Sequence, residues 1–200
     1  MMNELLQSVR EFWYLWLILA LLVIVAIFIW RKANVVLKNH SDKFNKQLAN
    51  AEREKRLLDR YSDSTNDIGS DTPEDIIDGF AVVADAKIQK FTNPDAEFST
   101  LPDRERLAYG MKFFFTDAEE KLSLFYRQNS HPLTDVVTDC LEESSSVAGK
   151  LARRMYNMTD DDNENVSFDR TLADKLDDEF NKNIDRNELK TIVAQYILQK

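Results

Sequence analysis

The sequence predicts an all-α protein with a single N-terminal transmembrane helix, a polar helical stalk and a C-terminal bundle of about six helices. Three observations indicate this fold class. The 200 residues include only 4 glycines and 4 prolines, fewer than the turns of an all-β fold require. Apolar residues recur at helical spacing, and no alternating run of strand length occurs. One long uncharged stretch lies near the N-terminus.

Residues 12–30 are the predicted transmembrane helix, because these 19 residues include no charge, glycine or proline. At about 1.5 Å per residue, such a helix spans the roughly 30 Å hydrocarbon core of a bilayer. A buried core helix would keep a polar stripe, and a cleavable signal peptide would have a shorter apolar region. The residues typical of a membrane anchor lie at the two ends: Trp13, Tyr14, Trp16, Trp30, Arg31 and Lys32.

The basic residues around this helix predict its orientation. The only basic residue among residues 1–11 is Arg10. Five basic residues follow the helix: Arg31, Lys32, Lys38, Lys43 and Lys46. The positive-inside rule then places a short extracytoplasmic N-terminus outside the cell (inner or plasma) membrane and the C-terminal domain in the cytoplasm. The lipid bilayer is the first expected partner, and the basic run is expected to attract anionic lipid. A single cysteine, Cys140, fits a reducing compartment.

Residues 31–61 are predicted to be a basic juxtamembrane helical stalk, followed by a linker over residues 62–72. The linker reads SDSTNDIGSDT and has no apolar periodicity. Two interpretations of the stalk stay open. One is a solvated helix, and the other is a parallel homodimer through the weak heptad pattern. The apolar positions of that pattern are Leu37, Phe44, Leu48, Ala51 and Leu58.

Residues 73–200 are the predicted helical domain. Thr72 followed by Pro73 is typical of a helix start, because the hydroxyl caps the first amides and proline fits the first turn. In QNSHP, Asn129 and Ser130 favour a turn, Pro132 starts the next helix, and His131 is pushed towards the surface. The other expected boundaries are a capping box at Thr116–Glu119, a pause at Ser144–Ser146, a cap at Ser167 and a capping box at Asp185–Glu188.

An interaction surface is predicted from charge. Residues 61–200 contain 29 acidic and 16 basic residues, which disfavours direct nucleic-acid binding because phosphate is repelled. The candidate residues are the acidic loop residues Asp160, Asp161, Asp162 and Glu164, together with Arg127 and His131. Calcium binding by the loop is not expected, because Asn165 and Thr171 occupy the EF-hand positions for glycine and glutamate. No catalytic residue, metal site or cofactor is predicted.

Three functional hypotheses follow from these observations. The first is a single-pass membrane protein whose acidic helical domain binds an unidentified protein, expected to be basic, in the cytosol. The second is a membrane-tethered enzyme with a site between helices around His131 and Tyr126, which requires a deep pocket that unites the histidine with a carboxylate. The third is an assembly component that dimerises through its stalk.

Two segments resemble the DNA-mimic protein family. They read FYRQNSHPLTDVVTDCLEESSSVAGKLARRM and SFDRTLADKLDDEFNKNIDRNELKTIVAQYILQK. The second resembles the family's C-terminal pattern through Leu176, Asp177 and Phe180 and through the pair Tyr196 and Ile197. The family's Asn-Gly-Gly-Phe turn is absent, since that place reads EEKLSLF. Over about residues 100–200 the resemblance implies an acidic helical domain that imitates the phosphates of DNA and occupies DNA-binding proteins.

Overall fold

The computed structural model describes residues 13–63, 67–119, 121–159 and 168–200. Helices and their connections make up these ranges, and no strand occurs in them, which confirms the all-α prediction. The nine α-helices of the described ranges are α1 (Trp13–Tyr61), α2 (Pro73–Ile88), α3 (Pro94–Glu97), α4 (Asp103–Asp117), α5 (Leu122–Gln128), α6 (His131–Ser144), α7 (Ser146–Thr159), α8 (Arg170–Asn183) and α9 (Arg186–Gln199).

The chain divides into two compact units, Met1–Glu52 and Arg53–Lys200. In the first unit every described side chain is exposed, including Trp30, Arg31 and Lys32. No helix in the described ranges is long and apolar enough to cross a membrane. The predicted span over residues 12–30 therefore stays a prediction. Phe12 and the side chains of Trp13, Tyr14, Leu15, Trp16 and Ala26 lie outside the described part of the chain.

The second unit begins at Arg53, twenty residues before the predicted domain start at Pro73. The end of the predicted stalk belongs to this unit because Leu57 and Tyr61 are buried in its core. The ring of Tyr61 packs edge-on against Phe80 of α2, with 5.1 Å between centroids. Leu57 and Tyr61 lie four residues apart on one face of α1, a face that neither interpretation of the stalk places in the core of the domain.

Ion pairs hold the same part of α1 against the following segment. Arg53 donates to Asp78 at 2.6 Å and to Asp75 at 2.8 Å. Tyr61 donates its hydroxyl hydrogen to Asp71 at 2.8 Å, and Arg60 binds the same carboxylate through two nitrogens. The guanidinium of Arg60 lowers the pKa of the Asp71 carboxyl, since it favours the charged form. The predicted linker is thus tied to the end of α1 at Asp71.

Helix α4 lies at the centre of the second unit and contacts α2, α5, α6 and α9. Its buried stripe includes Leu107, Met111 and Phe114, spaced three and four residues apart. The Phe114 ring contacts Phe125 of α5 at 5.4 Å and Phe180 of α8 at 5.9 Å, both edge-on. These aromatic contacts join three helices in one core.

Local capping signals predicted two helix starts correctly. Thr72 accepts a hydrogen bond from the amide of Asp75, and Pro73 occupies the first turn of α2. Asp185 accepts from the amides of Asn187 and Glu188 at the start of α9. The pause at Ser144–Ser146 is also present, since α6 ends at Ser144 and α7 begins at Ser146. Each signal acts on amides within three residues, so sequence alone reveals it.

Other boundaries differ from the prediction. Thr116 does not start a helix, because it lies in the last turn of α4 and donates to the carbonyl of Lys112. Helix α5 starts at Leu122 and is capped from a distance: the buried carboxylate of Asp177 accepts from the amide and the hydroxyl of Ser123 at 2.8 and 2.7 Å. Asp169 caps α8, and the predicted cap Ser167 lies outside the described residues. The part of the chain described from Pro73 onwards contains eight α-helices and one short 3-10 helix (Phe98–Thr100) rather than about six helices.

Gly79 tests whether the end of α1 is part of the second unit. A Cβ atom at this position would lie 2.6 Å from Cγ of Tyr61 and overlap its ring. We expect Gly79→Ala to lower the free energy of unfolding by about 1–2 kcal/mol, because overpacking outweighs the gain in helix propensity. Chemical denaturation followed by far-UV circular dichroism measures this change.

The matched control for this substitution is Gly69→Ala. A Cβ there meets its nearest neighbour, the Asp67 carboxylate, at 3.6 Å, an ordinary contact. Equal stabilities of the two variants would contradict the packing of Tyr61 against α2.

Candidate functional site

Two large apolar side chains are exposed in the part of the second unit that the structure describes. They are Phe113 of α4, at 37% exposure, and Val147 of α7, at 50%. Each lines a cavity. Isolated exposed apolar residues are ordinary, but apolar residues that line a concavity indicate binding sites.

The cavity at Val147 is bounded mainly by charges that are already paired with one another. Arg153 donates to Glu142 at 2.6 Å and to Asp139 at 2.8 Å. Arg154 lies 3.9 Å from Glu179. A ligand would have to compete with these ion pairs, so this cavity is the weaker candidate.

A cavity of about 440 Å³ beside α2, α4 and α9 is also bounded by charges of both signs. Two of the three cations that line it already have structural roles. Arg186 donates to the carbonyls of Ala118 and Glu119, and the Lys190 ammonium lies 5.6 Å from the centroid of the Phe115 ring. This arrangement stabilises the contact between α4 and α9 and leaves no clear preference for a ligand.

The cavity at Phe113 differs because no charged residue lines it. Its volume is about 250 Å³, and it lies between the end of α2, α3, α4 and the turn from α5 to α6. We call it the aromatic groove. Its lining residues are Ile88, Pro94, Phe98, Tyr109, Phe113, Gln128, Asn129, Ser130, Pro132 and Leu133.

Three rings form one side of the aromatic groove. Tyr109 and Phe113 lie four residues apart on α4, so their rings meet at 4.9 Å with an angle of 56° between planes. Phe98, which follows α3, meets Tyr109 at 6.0 Å and 54°. Phe98 is buried, Tyr109 is half-buried and Phe113 is exposed, so the row of rings runs from the core to the surface.

The turn from α5 to α6 forms the polar side of the groove. Asn129 donates its amide hydrogens to Asp117 and to the carbonyl of Phe125, both at 2.9 Å. The carbonyl of Ser130 accepts from the amides of Leu133 and Thr134 and so begins α6. Helix α6 starts at this turn with Pro132 in its first turn, as the sequence predicts. The QNSHP segment is therefore a rigid interhelical turn that lines a cavity.

Two carboxylates, those of Asp85 and Asp117, lie beside the groove. Burial, followed by the charge of Asp85, raises the pKa of the Tyr109 hydroxyl above its ordinary value. At the other end, the carboxylate of Asp117 lies behind Asn129. Because both carboxylates lie beside an uncharged and partly apolar surface, the groove favours a cation over an anion.

The predicted interaction residues Arg127 and His131 do not line the aromatic groove, although both are adjacent in sequence to residues that do. Arg127 is exposed, and its guanidinium lies over Phe168 at 4.9 Å. His131 is exposed at the start of α6, and its ring meets Tyr156 edge-on at 6.3 Å. Their described contacts involve different rings, so the structure does not bring Arg127 and His131 to a common site in the residues it describes. Asp160, Asp161, Asp162 and Glu164 lie outside those residues.

The enzyme hypothesis required a deep pocket that joins His131 to a carboxylate. The exposed His131 and its aromatic contact do not form such a pocket within the described ranges. Tyr126 is buried and shares a 2.9 Å hydrogen bond with Thr138, so it is part of the core. In the described residues, no group of three or more His, Cys, Asp or Glu side chains could hold a metal ion.

No family model, curated protein or solved structure matches the chain. The resemblance to the DNA-mimic family therefore stays a prediction.

The groove residues Phe98, Tyr109 and Phe113 were not identified from the sequence. One signal was available: Tyr109 and Phe113 are aromatic residues four apart that lie off the buried stripe of α4. An aromatic pair on the flank of a core helix indicates a candidate binding surface.

Proposed function

We propose that the chain is a single-pass membrane protein that presents an acidic helical domain to a basic protein partner in the cytosol. The observation that carries the proposal is the contrast between the two units. The described apolar side chains from residue 17 to residue 30 are all exposed, whereas the second unit encloses a continuous core. Exposed apolar surface of this length needs an apolar environment, and a bilayer supplies one.

The arrangement of side chains along α1 supports a membrane environment over a protein one. Large apolar residues occupy every side of the helix between Leu17 and Trp30. A helix that packs on a protein needs only one apolar stripe, whereas a helix surrounded by lipid is apolar all round. The basic residues that follow favour the cytosolic leaflet for this end, because anionic lipid attracts them.

The charge of the domain supports a basic partner. The excess of acidic residues over residues 61–200 creates a negative field, which speeds encounters with positive surfaces and repels nucleic acid. The resemblance to the DNA-mimic family implies one such class, proteins whose basic surface otherwise holds DNA. The acidic loop residues Asp160, Asp161, Asp162 and Glu164 are proposed to contribute to this field.

A second candidate function is assembly through the stalk. Phe44 and Leu48 are 64% and 50% exposed in the first unit and lie four residues apart on one helical face. They occupy adjacent core positions of the predicted heptads. Leu58, a later heptad position, packs against the core of the second unit, so a dimer seam would have to end before it.

Membrane insertion and orientation are tested by extraction and labelling. We expect the full chain to stay in the membrane pellet during alkaline carbonate extraction. The double variant Leu22→Arg, Val25→Arg should shift to the supernatant, because arginine at the centre of a membrane helix costs about 2.5–3.5 kcal/mol per residue. Leu48→Arg, an exposed apolar position outside the span, is the control and should stay in the pellet.

Orientation is measured in a Cys140→Ala background with an impermeant maleimide. Asn3→Cys should label on intact cells, and Ser62→Cys only after permeabilisation. The Cys140→Ala substitution removes the one native thiol, which burial already makes unreactive by raising its pKa to about 12. Release of the wild-type chain by carbonate, or labelling of Ser62→Cys on intact cells, would refute the proposed topology.

The contribution of the acidic loop is tested by capture of partners on the full chain in detergent micelles. Asp160→Asn, Asp161→Asn and Asp162→Asn together should reduce the captured amount at least about threefold, because surface charge pairs contribute about 0.2–1 kcal/mol each. Glu52→Gln, Glu54→Gln and Asp59→Asn change the net charge equally and should have a smaller effect. Capture that resists both the loop variant and added salt would contradict an electrostatic surface.

Stalk dimerisation is tested by crosslinking Phe44→Cys in the Cys140→Ala background. Parallel helices place the two Phe44 positions directly opposite each other, so oxidation should give a disulfide-linked dimer. Lys43→Cys, the neighbouring exposed position, faces away from the seam and is the control. Equal crosslinking at both positions would indicate random collision and would count against a specific dimer.

A further inference from the structure

We propose that the aromatic groove binds an arginine side chain carried by a basic segment of a partner protein. The inference rests on the proposed function for the nature of the partner. It goes further in naming the place of contact and the side chain that is recognised. Three properties of the groove carry it: unoccupied ring faces, negative surroundings and unused hydrogen-bond acceptors.

The rings of the groove are suited to a guanidinium. Elsewhere in the second unit, aromatic rings are covered by arginines of the chain itself: Arg127 lies over Phe168, Arg153 over Tyr156 and Arg186 over Phe180. In the described ranges no lysine or arginine covers Phe98, Tyr109 or Phe113. An external cation can therefore reach the exposed ring of Phe113 and the adjoining edge of Tyr109.

The charges near the groove favour a cation. Its lining residues are all uncharged, and the charges revealed by their contacts are the carboxylates of Asp85 and Asp117. A phosphate or an acidic peptide would meet repulsion there. A purely apolar side chain would gain nothing from the two carboxylates, so charge complementarity selects a basic residue.

The groove also offers acceptors to a planar donor. Both amide hydrogens of Asn129 are used, which leaves its Oδ1 atom as an acceptor without a hydrogen bond among the described residues. The Tyr109 hydroxyl likewise has no hydrogen bond within the part of the chain that the structure describes. Arginine fits these features better than lysine, because a guanidinium stacks on a ring and donates in its own plane at the same time. The small volume of the groove suits one side chain rather than a whole helix.

The experiment uses the full chain in detergent micelles, with ring-¹³C-labelled tyrosine and phenylalanine. The probe is the capped peptide acetyl-Gly-Arg-Gly-Gly-Arg-Gly-amide. Its control has citrulline in place of both arginines, which keeps the shape and removes the charge. We expect the arginine peptide to shift the Tyr109 and Phe113 ring signals and to bind at least fivefold more tightly than the citrulline peptide.

Variants separate the groove from the general acidic field. Phe113→Ala and Phe113→Leu should each raise the Kd for the arginine peptide about three- to tenfold, the range of a cation–π contact. Phe113→Tyr keeps a ring and should retain binding. Val147→Ala removes the other exposed apolar side chain and should leave the Kd unchanged.

Two outcomes would overturn the inference. Equal affinity for the arginine and citrulline peptides would mean that the groove recognises an apolar or extended chain instead of a cation. Arginine binding that is insensitive to Phe113→Leu would mean diffuse attraction to the acidic surface. Neither outcome affects membrane insertion or the acidic-loop capture, which involve other residues, so failure of this inference is distinguishable from failure of the proposed function.

Discussion

The burial of Phe114 is the constraint on which the second unit depends. Its ring meets Phe125 and Phe180 edge-on, so the consecutive helices α4 and α5 share one contact point with α8, which is distant in the chain. All three rings are almost completely buried. Such pairs contribute about 0.5–1.5 kcal/mol each beyond the burial of their area. Because α4 also contacts α2, α6 and α9, the helix that carries this ring is the one around which the surrounding helices pack.

The aromatic groove is a consequence of the same packing. Phe114 lies on the face of α4 that is buried in the core, and Tyr109 and Phe113 lie on the flank of the same helix. There α3 and the turn before α6 approach the two rings but leave Tyr109 half-buried and Phe113 exposed. The turn is joined to the end of α4 by the hydrogen bond from Asn129 to Asp117. A concave surface with exposed aromatic faces therefore persists beside a closed core. Its charge is set by the neighbouring carboxylates rather than by its own residues.

The two units differ in exposed apolar surface and in charge. Apolar exposure is concentrated in the first unit, which the proposal assigns to the bilayer, and acidic charge is concentrated in the second. Arg53 and Arg60 lie at the start of the second unit and are paired with Asp71, Asp75 and Asp78. Part of the basic charge that the sequence assigns to the stalk is thus neutralised within the domain. The remaining basic residues before Glu52 are exposed wherever the structure describes them.

The sequence by itself determined the helical class and the helix starts whose caps are local. Apolar spacing and the scarcity of glycine and proline depend only on composition and order, and the caps at Thr72 and Asp185 reach amides within three residues. Only the tertiary structure decided the start of α5, because its cap is Asp177, 54 residues away, and the capping box at Thr116 is not used. The same holds for the burial of Tyr61, which depends on the space beside Gly79. It also holds for the aromatic groove, whose lining comes from separate segments between Ile88 and Leu133. Interactions within one helical turn depend on neighbouring residues and can be predicted from them. These other sites are formed by segments that are distant in the sequence and come together only in the tertiary structure.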